Sequence, residues 1–385
     1  MKPKILSLVP DRLEKPMGGL GIQYTHIHPY LQENFEVFTV CYPHLTPQFS
    51  FPNTKQIYPS FLPDPKEPGN PLIYNLAHQI NYFTASLKFQ RPDLIHAYDW
   101  PCYLVANHLA IYYGVPLVMS LSLSIRGQIQ KNLKIVFDDK NFDGLTTQKT
   151  LEGLETGMLN CADIIVGVGS FYKDVYPEFR SKIRIIPNGI NLDSWIPKSQ
   201  VSIPLDNGIN VLYIGRFAKM KGFDHLMNAN IPDGINLIVA GSSEGGDLEC
   251  VNLLQAKLDS KKKNLFFCGP LYGQKKIELM HSVEAVIMPS VHEPFGIVAL
   301  EAFASGAILI SSRLDGLGDF VNERNSMLVE PTPEGIEKSL ENLLKLKEEE
   351  KLKLKIEGRK TCEIFTWKNA GEKMTEVYNE LLKSR

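Results

Sequence analysis

The stretch Ala285-Val-Ile-Met-Pro289, followed after three residues by Glu293-Pro-Phe-Gly-Ile-Val-Ala-Leu-Glu301 and running on into Ala302 and Phe303, reads as a strand, a glycine turn and a helix. A strand that feeds a helix through a tight turn is the repeating unit of a parallel sheet wrapped by helices. The same turn has chemical value. The first N–H groups of a helix, here Gly296, Ile297 and Val298, point outward with partial positive charge and hold an anion without any side chain. Glu293 flanks that cradle, and Glu301 falls about two turns further along the same face. Two carboxylates around a phosphate cradle suit a ligand with sugar hydroxyls at both ends, as in a nucleotide sugar. The plainer alternative is a solvated helix with a glycine near its start.

A second element points the same way. Asn210 to Ile214 reads as a short strand, followed by Gly215-Arg216-Phe217 and then Lys221-Gly222. The planar fork of an arginine and the mobile charge of a lysine, on either side of one turn, can both reach a diphosphate. Alone, such residues are ordinary surface charges.

Outward from these segments, short apolar runs alternate with longer amphipathic ones, which predicts open parallel sheets. Strands are expected at Ile5–Val9, Phe35–Cys41, Leu94–Ala97, Leu117–Leu121, Ile164–Val168 and Ile183–Ile186. A second set is expected at Val211–Ile214, Leu237–Ala240, Leu265–Cys268, Ala285–Met288 and Ala307–Ser311. The 385 residues suit two domains. The predicted division is 1–193 with a last helix in 366–385, and 194–365, with ligands in the cleft where the strands end.

Composition excludes more than it suggests. A net charge of −2 argues against nucleic acid as a partner. The six cysteines, Cys41, Cys102, Cys161, Cys250, Cys268 and Cys362, show no paired spacing and read as reduced thiols of a cytoplasmic protein. Tyr103 to Leu121 carries no formal charge and is long enough to imitate a membrane span. Gly114 and Pro116 divide it into a helix to about Tyr113 and a strand from Leu117. Met1 to Val9 reads as a first strand and not as a signal peptide. Lys345 to Lys360 alternates in charge and reads as a solvated helix face.

Taken together with Gly18-Gly19-Leu20-Gly21, Asp93-Leu-Ile-His96, Asp99-Trp100, Ala162-Asp163-Ile-Ile-Val ahead of Ser170, Pro187-Asn188-Gly189-Ile190 and Phe365-Thr366-Trp367, these pieces resemble the retaining glycosyltransferases of family 4, the glycogen-synthase-like group, over nearly the whole chain. The resemblance implies the α/β GT-B fold: two Rossmann-like domains, with a C-terminal helix returning to the first. It implies a nucleotide-diphosphate sugar as donor, no metal or other cofactor, and retention of anomeric configuration. Glu293, Arg216 and Lys221 would carry the catalytic roles. Glu301 would take the ribose hydroxyls, and the amides of Phe295 and Gly296 the sugar ring. Gly215 would belong to the donor site, Gly241 and Ser242 would approach the diphosphate or the base, and Gly269, Pro270 and Leu271 would face the base. In the first domain, Gly18, Gly19, Leu20 and Gly21, with Asp99, Ser122 and Arg126, would form the acceptor side. The acceptor is a small molecule, a lipid-linked sugar or a glycan, with peripheral membrane contact open.

The pattern is broken twice. Ser122 stands where the family usually has a histidine touching the donor sugar, and Tyr98 stands for another histidine before Asp99. Either the donor lacks the corresponding hydroxyl, or Arg126 or Asp99 takes over the contact, or the chain binds without transferring. Among other histidines, His26 and His28 point to different faces of a first helix, where solvent or acceptor contact is expected. His96, at a strand end, reads equally as structural or catalytic, and His292 is a site candidate. Asp247 and Glu249 read as loop charges. Besides a transferase, a sugar phosphorylase, a nucleotide-sugar epimerase and a non-catalytic nucleotide-sugar-binding homologue stay open.

Overall fold

A computed structural model describes residues 1–11, 13, 18–41, 54–56, 80–133, 144–199, 201, 208–242, 246–260 and 264–383. The chain divides into two units, Met1–Asn188 with Trp367–Arg385, and Gly189–Thr366. In the first, the described residues form a seven-stranded sheet of β1 (Lys4–Val9), β2 (Glu36–Cys41), β3 (Thr54–Gln56), β4 (Leu94–Tyr98), β5 (Leu117–Leu121), β6 (Ile164–Gly167) and β7 (Ile183–Ile185). In the second, six strands pair: β8 (Ile209–Ile214), β9 (Ile235–Ala240), β10 (Leu265–Gly269), β11 (Ala285–Met288), β12 (Ile308–Ser311) and β13 (Ser326–Leu328).

Every pairing in both sheets is parallel. The interior strands are largely apolar because helices cover both faces, so polar residues do not alternate outward; the few present, such as His96 and Ser120, are buried. In β4, β5, β9, β11 and β12 every residue is buried. The strand orders are β3-β2-β1-β4-β5-β6-β7 and β10-β9-β8-β11-β12-β13. Each therefore winds outward in both directions from a central pair, β1 with β4 and β8 with β11. Helices leave such a pair to opposite faces, and the gap between them at the carboxyl ends is where open α/β sheets bind ligands.

Two edge strands, β3 and β13, were not anticipated; each is three residues long and too short to show a period. The run at 103–121 is the helix Tyr103–Tyr113, ended by left-handed Gly114, and then β5. Among the described residues no helix is long and apolar enough to cross a membrane. The charged stretch 345–360 is not one helix. Pro333–Lys345 ends before Leu346, and a new helix, Glu348–Ile364, starts where the Glu350 carboxylate accepts the Lys347 amide at 2.9 Å.

The closing helix Trp367–Lys383 packs in the first unit beside the helix Gly19–Asn34. It also settles the role of His96, which lies in the middle of β4 and is fully buried, not at a strand end. Its Nδ1 is 2.7 Å from the Tyr378 hydroxyl and its Nε2 is 2.7 Å from Ser120 Oγ. Burial drives its pKa down to about 3, so the ring is neutral and structural. Tyr98 stacks on His96, with ring centroids 4.0 Å apart. It is fully buried and fills the core. His28 is buried too, 3.2 Å from the Tyr24 hydroxyl, with its pKa lowered to about 4 by desolvation. His26 is exposed but stacks on Trp367 at 4.9 Å. The expectation of solvent or acceptor contact thus fails for His28, and His26 has an aromatic partner.

Candidate functional site

In the second unit, the segments that leave β8 and β11 are tied to each other. The amides of Val291 and His292 both donate to the Met220 carbonyl at 3.0 Å. Gly222 makes this approach feasible: it is left-handed (φ 64°), and a Cβ there would stand 1.9 Å from the Pro289 carbonyl oxygen. The consequence is a side-chain meeting. Lys221 Nζ donates to Glu293 Oε2 at 2.6 Å, with 22% and 8% of the two side chains exposed. Ser290 Oγ approaches the same oxygen at 3.4 Å. Arg216, on the other side of the turn, is exposed with Nη2 3.7 Å from Met220 Sδ, and Gly215 precedes it at the end of β8. Lys221 and Glu293 thus pair at the winding centre of the sheet, and Arg216 lies on the same turn.

Glu293 is further held through its backbone. Its amide donates to Asp315 Oδ2 at 3.3 Å, and its carbonyl accepts from Gly316 at 3.0 Å. Asp315 Oδ2 also accepts from His292 Nδ1 at 2.7 Å. His292 is therefore a buried brace behind Glu293. Asp315 was missed because it lies 22 residues downstream, with no local signal.

Gly296 begins the next helix, Ile297–Ala304, with φ 93° and no side chain capping the helix. A Cβ at Gly296 would lie 2.6 Å from Leu317 Cδ2 and 3.2 Å from Glu293 Cγ, so glycine is required. Ile297 and Val298 are part-exposed at this start, while the Phe295 ring is buried against Phe320 and Phe365. Glu301 is one turn past Ile297 on the same face. It is buried and paired with Lys276, a residue the sequence reading passed over.

The other strand ends differ in character. Gly241 packs directly on Gly215, whose carbonyl oxygen would be 2.0 Å from a Cβ. Its amide donates to the Gly269 carbonyl at 2.9 Å, so Gly241 serves backbone packing between β8, β9 and β10. Ser242 is part-buried, and its carbonyl accepts from Phe217. Gly269 has open space around it, and Pro270 and Leu271 follow with exposed and half-buried side chains. Asp247 and Glu249 are more than loop charges. Asp247 Oδ2 accepts the Lys219 amide at 2.5 Å, and Glu249 pairs with the Lys219 ammonium at 2.6 Å, which pins the turn that carries Lys221.

In the first unit, only Gly18 precedes the helix Gly19–Asn34; Gly19, Leu20 and Gly21 form its first turn and none needs a left-handed backbone. Gly18 and Gly19 are exposed with nothing near a Cβ at Gly18. Gly21 is buried, its amide donating to Asp11 Oδ2 at 3.1 Å, and Leu20 packs against the buried cluster that contains Val9, Leu13 and Tyr24. Asp99, the residue after β4, has φ 64° and ψ 163°, a region costly for any residue but glycine, on the order of 1–3 kcal/mol. Burial, and then the charge of Glu155, push its pKa well above the carboxylate range. Glu155 is itself raised to about 7 by burial, although it accepts the amides of Ile125 and Arg126 and the Tyr176 hydroxyl.

Arg126 is not free to replace a missing histidine. It pairs with Glu152 at 3.0 Å and Glu178 at 2.5 Å, donates to Thr156 Oγ1 at 2.9 Å, and covers the Tyr176 ring at 4.7 Å. Ser122 Oγ is buried and has no hydrogen-bond partner. All six cysteines are free, and among the described residues no group of side chains forms a metal cluster.

Residues 17–194 match the model "Glycosyltransferase Family 4", and residues 197–361 match "Glycosyl transferases group 1". A glycogen synthase of Mycobacterium tuberculosis is 28% identical over 241 residues, 60% of this chain and 54% of that one. The chain thus matches about half the length of that relative. Among solved structures, sucrose-phosphate synthase from Thermosynechococcus elongatus superposes with a TM-score of 0.82 at 20% identity, covering 100% of both chains. Anabaena HepE in complex with UDP-glucose gives 0.71 at 17%, covering 98% of this chain and 100% of that one. The two family models between them take in every strand of the two sheets but β1, and the fold is that of GT-B enzymes: this chain belongs to glycosyltransferase family 4.

Proposed function

We propose that the chain is a retaining glycosyltransferase that moves a sugar from a nucleotide-diphosphate sugar to an acceptor hydroxyl, with the donor held by the second unit. The observation that carries this reading is the Lys221–Glu293 pair at the winding centre of that sheet, with Arg216 on the same turn and the uncapped helix start at Gly296 beside it. Arg216 and Lys221 neutralise charge building on the leaving diphosphate, and the helix start adds oriented N–H dipoles. Glu293 orients Lys221 and accepts from hydroxyls of the transferred ring, while Glu301 takes the ribose. No divalent ion is needed in this scheme, because fixed cations already offset the leaving group.

The acceptor oxygen attacks the anomeric carbon from the face the diphosphate leaves. The carbon–oxygen bond to the diphosphate breaks with its electron pair going to the leaving oxygen, and the acceptor proton passes to a diphosphate oxygen. Configuration is retained. The six free thiols suit a reducing compartment, and we place the reaction in the cytoplasm.

The test is a thermal-shift screen of nucleotide sugars followed by turnover with EDTA or magnesium and NMR assignment of the product anomer. A donor-specific shift abolished by Arg216→Ala or Glu301→Ala, with EDTA-resistant transfer and retention, supports the proposal. Phosphate-dependent glycoside cleavage, acceptor-free conversion of the donor, or binding without turnover would each replace it.

A further inference from the structure

The segment that enters the second unit brings a tryptophan to the edge of the donor site. Trp195 Nε1 donates to Ser305 Oγ at 2.7 Å, and its carbonyl oxygen is 3.3 Å from His281 Nε2. The next carbonyl, of Ile196, accepts from Gln274 Nε2 at 3.1 Å. These contacts fasten the segment across the helices Gly273–His281 and Ile297–Ala304. Ser305 Oγ in turn donates to the Glu301 carbonyl at 2.8 Å, so the tie reaches the backbone of Glu301 itself.

The face of the Trp195 ring is occupied by Lys276, whose Nζ lies 5.9 Å from the centroid. The same ammonium meets Glu301 Oε1 at 2.6 Å and Oε2 at 2.5 Å. The two oxygens are not equivalent. Oε1 accepts a well-formed hydrogen bond, whereas Oε2 is buried and has no hydrogen-bond partner despite the nearby charge. An ion pair that is neutral as a whole, with one carboxylate oxygen held by charge but by no aligned hydrogen bond, has no attraction for a phosphate. It suits a neutral hydroxyl. A lysine alone is a poor aiming device, because its stem is flexible. A ring face at cation–π distance narrows where its ammonium can stand.

We propose that Lys276 is a positioning residue that aims the Glu301 carboxylate at the vicinal diol of a ribonucleotide, and that Trp195 fixes where Lys276 stands. This rests on the reading of the second unit as the donor site. It assigns ribose discrimination to a three-residue chain, Trp195–Lys276–Glu301, whose members come from the entering segment and two separate helices.

Calorimetric titration of the full chain with UDP, ADP, GDP and CDP, and with their 2′-deoxy counterparts, tests it. The wild-type protein should prefer the ribonucleotide on the order of tenfold, as expected for a hydrogen bond to a charged group. Lys276→Met should bring that ratio close to one while the affinity for the 2′-deoxy form changes little, and Lys276→Arg should restore part of it. An unchanged ratio in Lys276→Met overturns the inference and leaves the donor site standing. Equal weakening of both forms overturns it as well, by moving Lys276 to the diphosphate. Binding of none of the four nucleotides by the wild-type protein defeats the donor reading, and the inference with it. If Lys276→Met does not fold, Trp195→Leu keeps the ion pair and should lower the ratio roughly two- to threefold; an unchanged ratio there is equally fatal.

Discussion

Replacing His96 with glutamine should change the acid sensitivity of the first unit by an amount the structure sets. His96 is fully buried, hydrogen-bonded on both ring nitrogens, and shifted by desolvation to about 3, against an ordinary value of about 6.5. The folded-state pKa is depressed, so between pH 6.5 and 3 the unfolded chain binds a proton that the folded chain refuses. Stability supplied by the neutral ring is therefore intact above about pH 6.5 and is lost as pH falls. At pH 5 the loss from this residue is about 1.5 × 1.36, or about 2 kcal/mol. Glutamine is neutral throughout and has no such term. Other groups, including His28 and Glu155, also titrate in this window, but they are common to both proteins and cancel in the difference. Urea unfolding at pH 7.5 and 5.0 can be followed by tryptophan fluorescence, since Trp100 and Trp367 lie in this unit and Trp195 in the other. The advantage of wild type over His96→Gln should shrink by about 2 kcal/mol from the higher pH to the lower. A difference that stays constant within a few tenths of a kcal/mol would falsify the assignment of His96 as a buried neutral residue.

Lys221→Met should reduce transfer by on the order of 10²–10³-fold in kcat, since it removes a cation at the leaving group; a change confined to KM would contradict that role. Gly296→Ala forces a side chain into a left-handed position against Leu317 and should cost about 1–3 kcal/mol of stability as well as donor affinity, which thermal unfolding and nucleotide titration read separately. Unaltered melting would show that the turn relaxes freely. Cys161 is exposed and Cys268 part-buried, whereas Cys41, Cys102, Cys250 and Cys362 are buried. A thiol reagent on the native protein should label Cys161 first, and on the denatured protein all six; a deficit in the second count would reveal a disulfide.

Strands such as Leu117–Leu121 and Ala285–Met288 were legible to the residue because a parallel strand covered on both faces is a mostly apolar word between glycine, proline or charge. The edge strands β3 and β13 carry no such mark; they owe their existence to the neighbour they pair with. The site was readable where its chemistry is local, as at Gly296 and Arg216. It was opaque where two distant carriers meet. Lys276 and Glu301 are 25 residues apart, and Lys221 and Glu293 are 72 apart; only the strand order brings them together. The histidines misled for a related reason. Nothing around His96 in the sequence announces that Tyr378, 282 residues later, will cover it.

The second unit is one continuous segment, Gly189–Thr366, set inside a first unit that is finished only by the helix Trp367–Lys383. Its two ends lie side by side, with the Ile190 amide donating to the Phe365 carbonyl at 2.9 Å. As the polypeptide is made, the later-encoded unit therefore has its full sequence, closed at its own neck, before the earlier one has received its last structural piece. The nascent first sheet must wait through some 180 residues of synthesis with His96 lacking its hydroxyl and the Gly19–Asn34 helix lacking its neighbour. Chaperone demand during translation should accordingly fall on the half of the protein that emerges first.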